Sequence, residues 1–85
     1  MKKVSFCSHA EEKFTILEEH GFIISRAKVL DAFKNPDKVE KGLNGRLIAQ
    51  KAIDEKHVIR VVFEKKEKSY IIVTFYPGRR NYYES

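Results

Sequence analysis

Tyr70-Ile71-Ile72-Val73-Thr74-Phe75-Tyr76-Pro77-Gly78-Arg79-Arg80-Asn81-Tyr82-Tyr83 joins a strand pattern to a cluster of reactive side chains. β-Branched and aromatic residues from Tyr70 to Tyr76 favour extended backbone. Pro77-Gly78 is expected to end the strand, because proline supplies no ladder donor and glycine accepts turn dihedrals. The strand end is thereby expected at an edge of the fold. Beyond it stand two permanently charged guanidiniums able to bind phosphate bidentately, and two phenols able to stack on bases or exchange protons. The bland reading of these residues is a basic tail with one tyrosine folded onto the core, and the functional reading is a nucleic-acid site.

Upstream of this stretch the period-two pattern continues. Arg46 to Ile53 and His57 to Lys65 alternate, and charged turns at Asp54-Glu55-Lys56 and Lys66-Glu67-Lys68 join them to each other and to the last strand. Lys38-Val39-Glu40 adds a weaker strand before the turn Leu43-Asn44-Gly45. Adjacent short turns predict an antiparallel meander. Further upstream the period is helical: Ala10, Phe14 and Leu17 recur on one face of a helix from about His9 to His20, with Glu11, Glu12, Glu18 and Glu19 outward. Ser8 reads as its N-cap in a capping box with Glu11, and Gly21 as the left-handed residue that closes it. Ser25 caps a second helix, with Ile24 and Val29 as a hydrophobic staple and Val29, Leu30 and Phe33 inward, until Asn35-Pro36 ends it. Val4 to Cys7 is a short strand ahead of both. The expected fold class is α+β, a single domain over residues 1–85 with an N-terminal helical hairpin packed on one face of a four-stranded antiparallel sheet.

Composition narrows the function classes. Eighty-five residues form one core but no deep enclosed pocket, so sites are expected on open faces. Hydrophobic residues at 42% and charged residues at 34% fit a globular chain rather than a disordered one. No apolar run approaches the roughly 20 residues that span a bilayer. The N-terminus reaches Glu11-Glu12 too soon for a secretory signal, and Cys7 has no second cysteine to pair with, so a reducing, cytoplasmic location is expected without membrane contact. Net charge is +5, and its excess lies in one half. Residues 1–42 carry eight Lys/Arg against seven Asp/Glu, whereas residues 43–85 carry nine against five. That imbalance favours a polyanion or an acidic protein partner.

Alternation assigns side chains to faces. With Ile59, Val61 and Phe63 inward, Arg60 and Glu64 point away from the helices. Taking Ile71, Val73 and Phe75 as core places Tyr70, Thr74 and Tyr76 beside Arg60, and taking Leu47, Ala49 and Ile53 as core adds Arg46 and Gln50. Arg46, Gln50, Arg60, Thr74 and Tyr76, bordered by Arg79, Arg80, Tyr82 and Tyr83, thus form a candidate phosphate-and-base surface. Ile48, Val62 and Ile72 fall in the same rows, so another element or a partner protein is the alternative occupant of this face.

In fold and motifs the chain resembles the RelE-like and BrnT-like ribonuclease toxins, and more closely a group of small uncharacterised domains of that superfamily. The matching residues are Cys7-Ser8-His9-Ala10, Gly21, Arg60-Val61-Val62-Phe63, Val73-Thr74-Phe75-Tyr76-Pro77, Arg79-Arg80 and Tyr82 or Tyr83. The resemblance covers nearly the whole chain and is most specific in the final strand. It departs at Lys13, where the pattern has an arginine, a better bidentate phosphate ligand. The resemblance implies a surface rather than a fixed triad; the expected activity is that of an RNA-cleaving toxin restrained by an acidic antitoxin, acting without metal or cofactor, as a monomer or weak dimer. In that reading His9, in the first turn of the first helix, is the general base. Arg60 and Arg79 stabilise charge, Tyr82 or Tyr83 is the acid or a stacking platform, and Arg46, Gln50, Thr74, Tyr76 and Arg80 hold RNA. His57 reads as a structural residue and His20 as decoration of a helix end; three dispersed histidines lack zinc spacing. The competing readings are a non-catalytic basic module that binds RNA or an acidic protein, and a toxin-like scaffold that has lost activity.

Overall fold

The chain alternates helical and period-two segments, and in the computed structural model, which describes residues 3–83, both kinds form where that pattern changes. The order is β1 (Lys3–Phe6), α1 (Ser8–Glu19), α2 (Arg26–Lys34), β2 (Lys38–Lys41), a 3₁₀ turn (Leu43–Gly45), β3 (Leu47–Ala52), β4 (His57–Lys65), β5 (Ser69–Arg79) and α3 (Arg80–Tyr83). The fold is α+β, and strands β2 to β5 form the expected meander. The sheet, however, has five strands in the order β1-β5-β4-β3-β2 and is mixed, because β1 joins β5 in parallel, with Lys3 opposite Ser69 and Phe6 opposite Ile72. The expectation of a four-stranded antiparallel sheet is corrected on this point. β1 and β5 are too far apart in sequence for a short turn to reveal their pairing.

Local signals act as their chemistry requires at α2 and Gly21. Ser25 Oγ accepts from the Lys28 backbone N–H at 3.2 Å, and Gly21 takes φ +85° beyond α1. The cap of α1 differs from expectation. Cys7 is the N-cap and no side chain caps the turn, while Glu11 pairs with Arg26 at 2.6 Å instead of closing a capping box.

One core lies between the helices and the sheet. Ala10, Leu17, Val29 and Ala32 from the helices meet Ala49, Ile59, Val61, Phe63, Ile72 and Phe75 from the sheet. The Phe14 ring lies 4.6 Å from that of Phe75, and Phe33 packs edge-on against Phe63 at 4.9 Å. Burying each such large side chain contributes roughly 1.5–3 kcal/mol.

Two features of β5 overturn the alternation read from sequence. Val62 pairs with Thr74 but Phe63 with Ile72, so β5 carries one extra residue, a β-bulge at Val73. The bulge switches the parity of the strand. Tyr70 and Ile72 therefore face the core, Tyr70 against Phe33 and Phe63, while Thr74 and Tyr76 keep the opposite face as expected. Ile71 and Val73 are not core residues; Ile72 is, fully buried, and it leaves the open-face row to Ile48 and Val62. The Cys7 backbone N–H donates to the Ile72 carbonyl at 3.0 Å and its thiol to the Val73 carbonyl at 3.1 Å, which ties the bulge to the start of α1.

Pro77-Gly78 does not end β5 either. The strand continues to Arg79, with Pro77 opposite Ile59 and Gly78 opposite Val58. β1 accompanies β5 only as far as Ile72, so the later part of β5 is an edge, where a missing N–H on the outer side removes no ladder bond.

Candidate nucleic-acid interface

On the sheet face away from α1 and α2, register aligns Lys38, Gln50, Arg60 and Tyr76 in one row across β2 to β5. Arg60 is the hub. The residue is only 5% exposed, and its Nε donates to the Tyr76 hydroxyl at 3.0 Å, Nη1 to Gln50 Oε1, and Nη2 to Glu40 Oε2 at 3.4 Å. Burial works against its charge, but Tyr76 and Glu40 outweigh that and hold the guanidinium pKa above its ordinary value. Glu40 in turn lies 2.9 Å from Lys38, which is the main reason its carboxyl is held below the usual range.

The end of the chain closes over this row. After Arg79 the short α3 turns back, and the Tyr83 ring lies 4.3 Å from the Arg60 guanidinium carbon, within cation–π range. Gly78 makes that approach fit, since a Cβ at this position would stand 2.3 Å from Tyr83 Cε2. The Tyr83 carbonyl accepts from Lys38 Nζ at 2.7 Å and Gln50 Nε2 at 3.4 Å. Arg60 is thus satisfied on every side, and the face around it is occupied by the chain's own tail. Tyr82 stays 75% exposed, edge-on to Tyr83 at 4.7 Å.

The same turn builds a second arrangement, at the end of the sheet where β4 begins and β5 finishes. His57 is paired across the ladder with Arg79. Arg80 is anchored by its backbone N–H to the Lys56 carbonyl at 2.8 Å and by Nη1 to the Asp54 carbonyl at 3.2 Å. A cavity of about 530 Å³ results, lined by Glu55, Lys56, His57, Arg79, Arg80 and Asn81. Within it His57 is fixed. Its Nδ1 lies 3.0 and 3.1 Å from the two Asp54 carboxylate oxygens, and the Phe22 ring stands edge-on to its imidazole at 5.5 Å. Asp54 Oδ1 also accepts the backbone N–H groups of Lys56 and His57, both at 2.7 Å. The Lys56 N–H contributes most to holding the Asp54 carboxyl below its ordinary range, burial opposes it, and the His57 side chain and N–H reinforce it.

The sequence-derived residues therefore separate. Arg79 and Arg80 meet at the cavity. Arg60, Gln50, Tyr76 and Tyr83 form the closed network on the sheet. Thr74 stands beside them, half-buried opposite Val62, while Arg46 pairs with Glu64 at 3.4 Å. His9 is exposed in the first turn of α1, which packs on the Phe75 side of the sheet, whereas α3 lies on the Arg60 side. The structure does not bring His9 to Tyr82, Tyr83 or Arg60. Sequence reasoning missed the Asp54–His57 pair, whose signal is an i, i+3 spacing across a charged turn, and it missed Lys56 and Glu40. Comparison with known proteins finds no match to this chain among family models, curated proteins or solved structures.

Proposed function

We propose that the chain acts on RNA as a metal-independent, RelE-like ribonuclease held inactive by an acidic antitoxin, and that it grips the RNA backbone at the cavity rather than over Arg60. The observation that carries this reading is the convergence of Lys56, Arg79 and Arg80 with His57 on one cavity. Three cations facing one space suit a polyanion, and an arginine pair suits phosphate oxygens in particular. The cavity also lies in the basic half of the chain. Arg60 is no longer needed as a phosphate ligand in this reading; its donors serve Tyr76, Gln50 and Glu40. Tyr82, exposed on α3, offers a ring on which a base can stack.

The non-catalytic module is the second reading. It is favoured by the placement of His9, because the base assigned from the resemblance stands in the helix layer, away from the cations. Both readings require RNA binding, and the salt dependence of that binding tests them. Fluorescence anisotropy with a labelled single-stranded RNA should give an affinity that falls steeply with salt. Replacing Arg79 and Arg80 together by alanine should flatten the log–log slope by about 1.4, since each phosphate contact on a single strand contributes roughly 0.7. An unchanged slope and affinity in the double variant refutes the cavity as the RNA site. Co-purification with the product of an adjacent gene, and its competition with RNA, tests the antitoxin.

A further inference from the structure

Of the three histidines, His9 and His20 are exposed on α1 and at its end, while His57 is half-buried and oriented from two sides. Asp54 is ionised at neutral pH, so the imidazole nitrogen facing it must carry a proton to donate to the carboxylate. A neutral His57 is thereby set as the Nδ1–H tautomer. Its Nε2 then has the lone pair. This is the arrangement by which a carboxylate prepares an imidazole to accept a proton, and here it borders the cavity that also holds Lys56, Arg79 and Arg80.

We infer that His57 is the proton-transfer residue of this cavity, that Asp54 positions it, and that the substrate is a phosphodiester bearing a neighbouring 2′-hydroxyl. The inference rests on the RNA reading above and assigns its chemistry to groups that reading leaves open. In the step, Nε2 takes the 2′-hydroxyl proton, the O2′–P bond forms and the P–O5′ bond breaks. The products are a 2′,3′-cyclic phosphate and a 5′-hydroxyl whose oxygen takes its proton from water entering the open cavity, and the hydroxide so formed takes back the proton held at Nε2. Arg79 and Arg80 face the charge that grows on the non-bridging oxygens. No oxidant or metal enters the balance. The titratable and charged groups around the imidazole are Asp54 and Glu55 on the turn, Lys56 beside it, Arg79 across the ladder, and Arg80 on α3.

The test uses the full chain, a labelled 20-nucleotide RNA and the same sequence as DNA. Wild type should bind both and cleave only the RNA, leaving cyclic phosphate ends. His57→Asn keeps an amide N–H for Asp54 but has no Nε2. It should bind RNA within about twofold of wild type and lose roughly 10²- to 10⁴-fold in cleavage. Asp54→Asn can still accept the two backbone N–H bonds with its amide oxygen but presents an NH₂ to the ring. It should convert His57 to the Nε2–H tautomer in long-range ¹H–¹⁵N spectra, shift the pH profile, and slow cleavage at least about tenfold. RNA binding without cleavage by wild type, or undiminished cleavage by His57→Asn, overturns the inference and leaves RNA binding standing. No RNA binding at all removes both. If His57→Asn does not fold, the tautomer in wild type decides: an Nε2–H imidazole refutes the assignment. A variant that only melts earlier, at unchanged rate, shows the pair to be a staple of the turn and also refutes it.

Discussion

Gly78→Ala should detach the tail from the sheet. The backbone of this glycine lies within a strand, so alanine meets no conformational barrier there, and the whole effect comes from the 2.3 Å approach of a new Cβ to the Tyr83 ring. A distance below 3 Å to a ring that is itself packed on Arg60 at 4.3 Å cannot be relieved by a small adjustment, so the ring must leave. Its departure removes a cation–π contact of about 1 kcal/mol and comparable apolar contact. The two hydrogen bonds to the Tyr83 carbonyl are lost with it; they are partly exposed and contribute about 0.5 kcal/mol each. Replacing glycine offsets roughly 0.4–1 kcal/mol by restricting the unfolded chain. The net cost is about 2 kcal/mol, or a fall in Tm of roughly 8–16 °C for a domain of this size.

Thermal melts of Gly78→Ala, Tyr83→Ala and the double variant make the check. Both single variants should melt earlier, with trypsin cutting faster at Arg79 and Arg80. In the Tyr83→Ala background Gly78→Ala should cost nothing or stabilise, because the clash has no partner left. Additive losses in the double variant would show that the tail does not rest on Gly78, and would refute the account of Arg60 as a covered residue.

Arg60→Met should cost about 1–2 kcal/mol and Arg60→Ala about 2–3, since methionine keeps the buried stem while both leave Glu40 the salvage of Lys38 and water; urea melts rank them, and an RNA affinity lowered as much as by Arg79→Ala and Arg80→Ala would contradict the closed network. Asp31, Glu40, Asp54 and Glu64 are all held below their ordinary values, chiefly by Lys51, Lys38, the Lys56 backbone N–H and Lys66 respectively. Folded carboxyls with depressed pKa stabilise above the ordinary values of 3.8 for Asp and 4.5 for Glu, and that stability is lost as pH falls through and below them. Tm should therefore be flat from pH 7 to 5 and drop below pH 4.5, less steeply in Asp31→Asn; identical acid limbs in the two proteins would exclude the Asp31–Lys51 pair from the effect. Cys7→Ala removes the thiol donor at the bulge and should cost about 0.5–1 kcal/mol in urea, with Cys7→Ser between it and wild type.

Periodicity located nearly every element, because helices and strands in this chain bury one face each. The phase of β5 was not legible. Tyr70-Ile71-Ile72-Val73-Thr74-Phe75-Tyr76 is mostly apolar or aromatic on both faces, so a count by twos has only Thr74 to anchor it, and the bulge that resets the count is hydrogen-bonded to Cys7, sixty-six positions away. Pro77 misled for a related reason. Whether a proline ends a strand depends on whether a neighbour needs its N–H, and that neighbour, β1, is set by a parallel pairing no turn announces.

The site divides along the same line between local and distant causes. Arg79 and Arg80 were legible from their local sequence alone, which sets them apart as cations following a strand pattern, and both line the cavity at the sheet's end. Arg60 was not, because its role is decided by Glu40 and Tyr83, twenty positions before it and twenty-three after. An arginine on a predicted open face is a ligand only while no carboxylate and no ring from elsewhere in the chain reaches it. His57 shows the converse. Its partner Asp54 was three residues away and visible, yet a histidine in a core-side row reads as structural until the end of another strand is known to deliver cations to it. The β4–β5 register that places Arg79 opposite His57 supplies that knowledge, and the bulge at Val73, by adding one residue to β5, belongs to the same register. Deleting Val73 removes the unopposed residue and leaves Phe63–Ile72 and Val62–Thr74 as consecutive pairs of a regular ladder, so Arg79 still stands opposite His57. Such a variant, if folded, should keep its core and its RNA affinity at the cavity, whereas lost affinity would show that the cations gather there only while the bulge is in place.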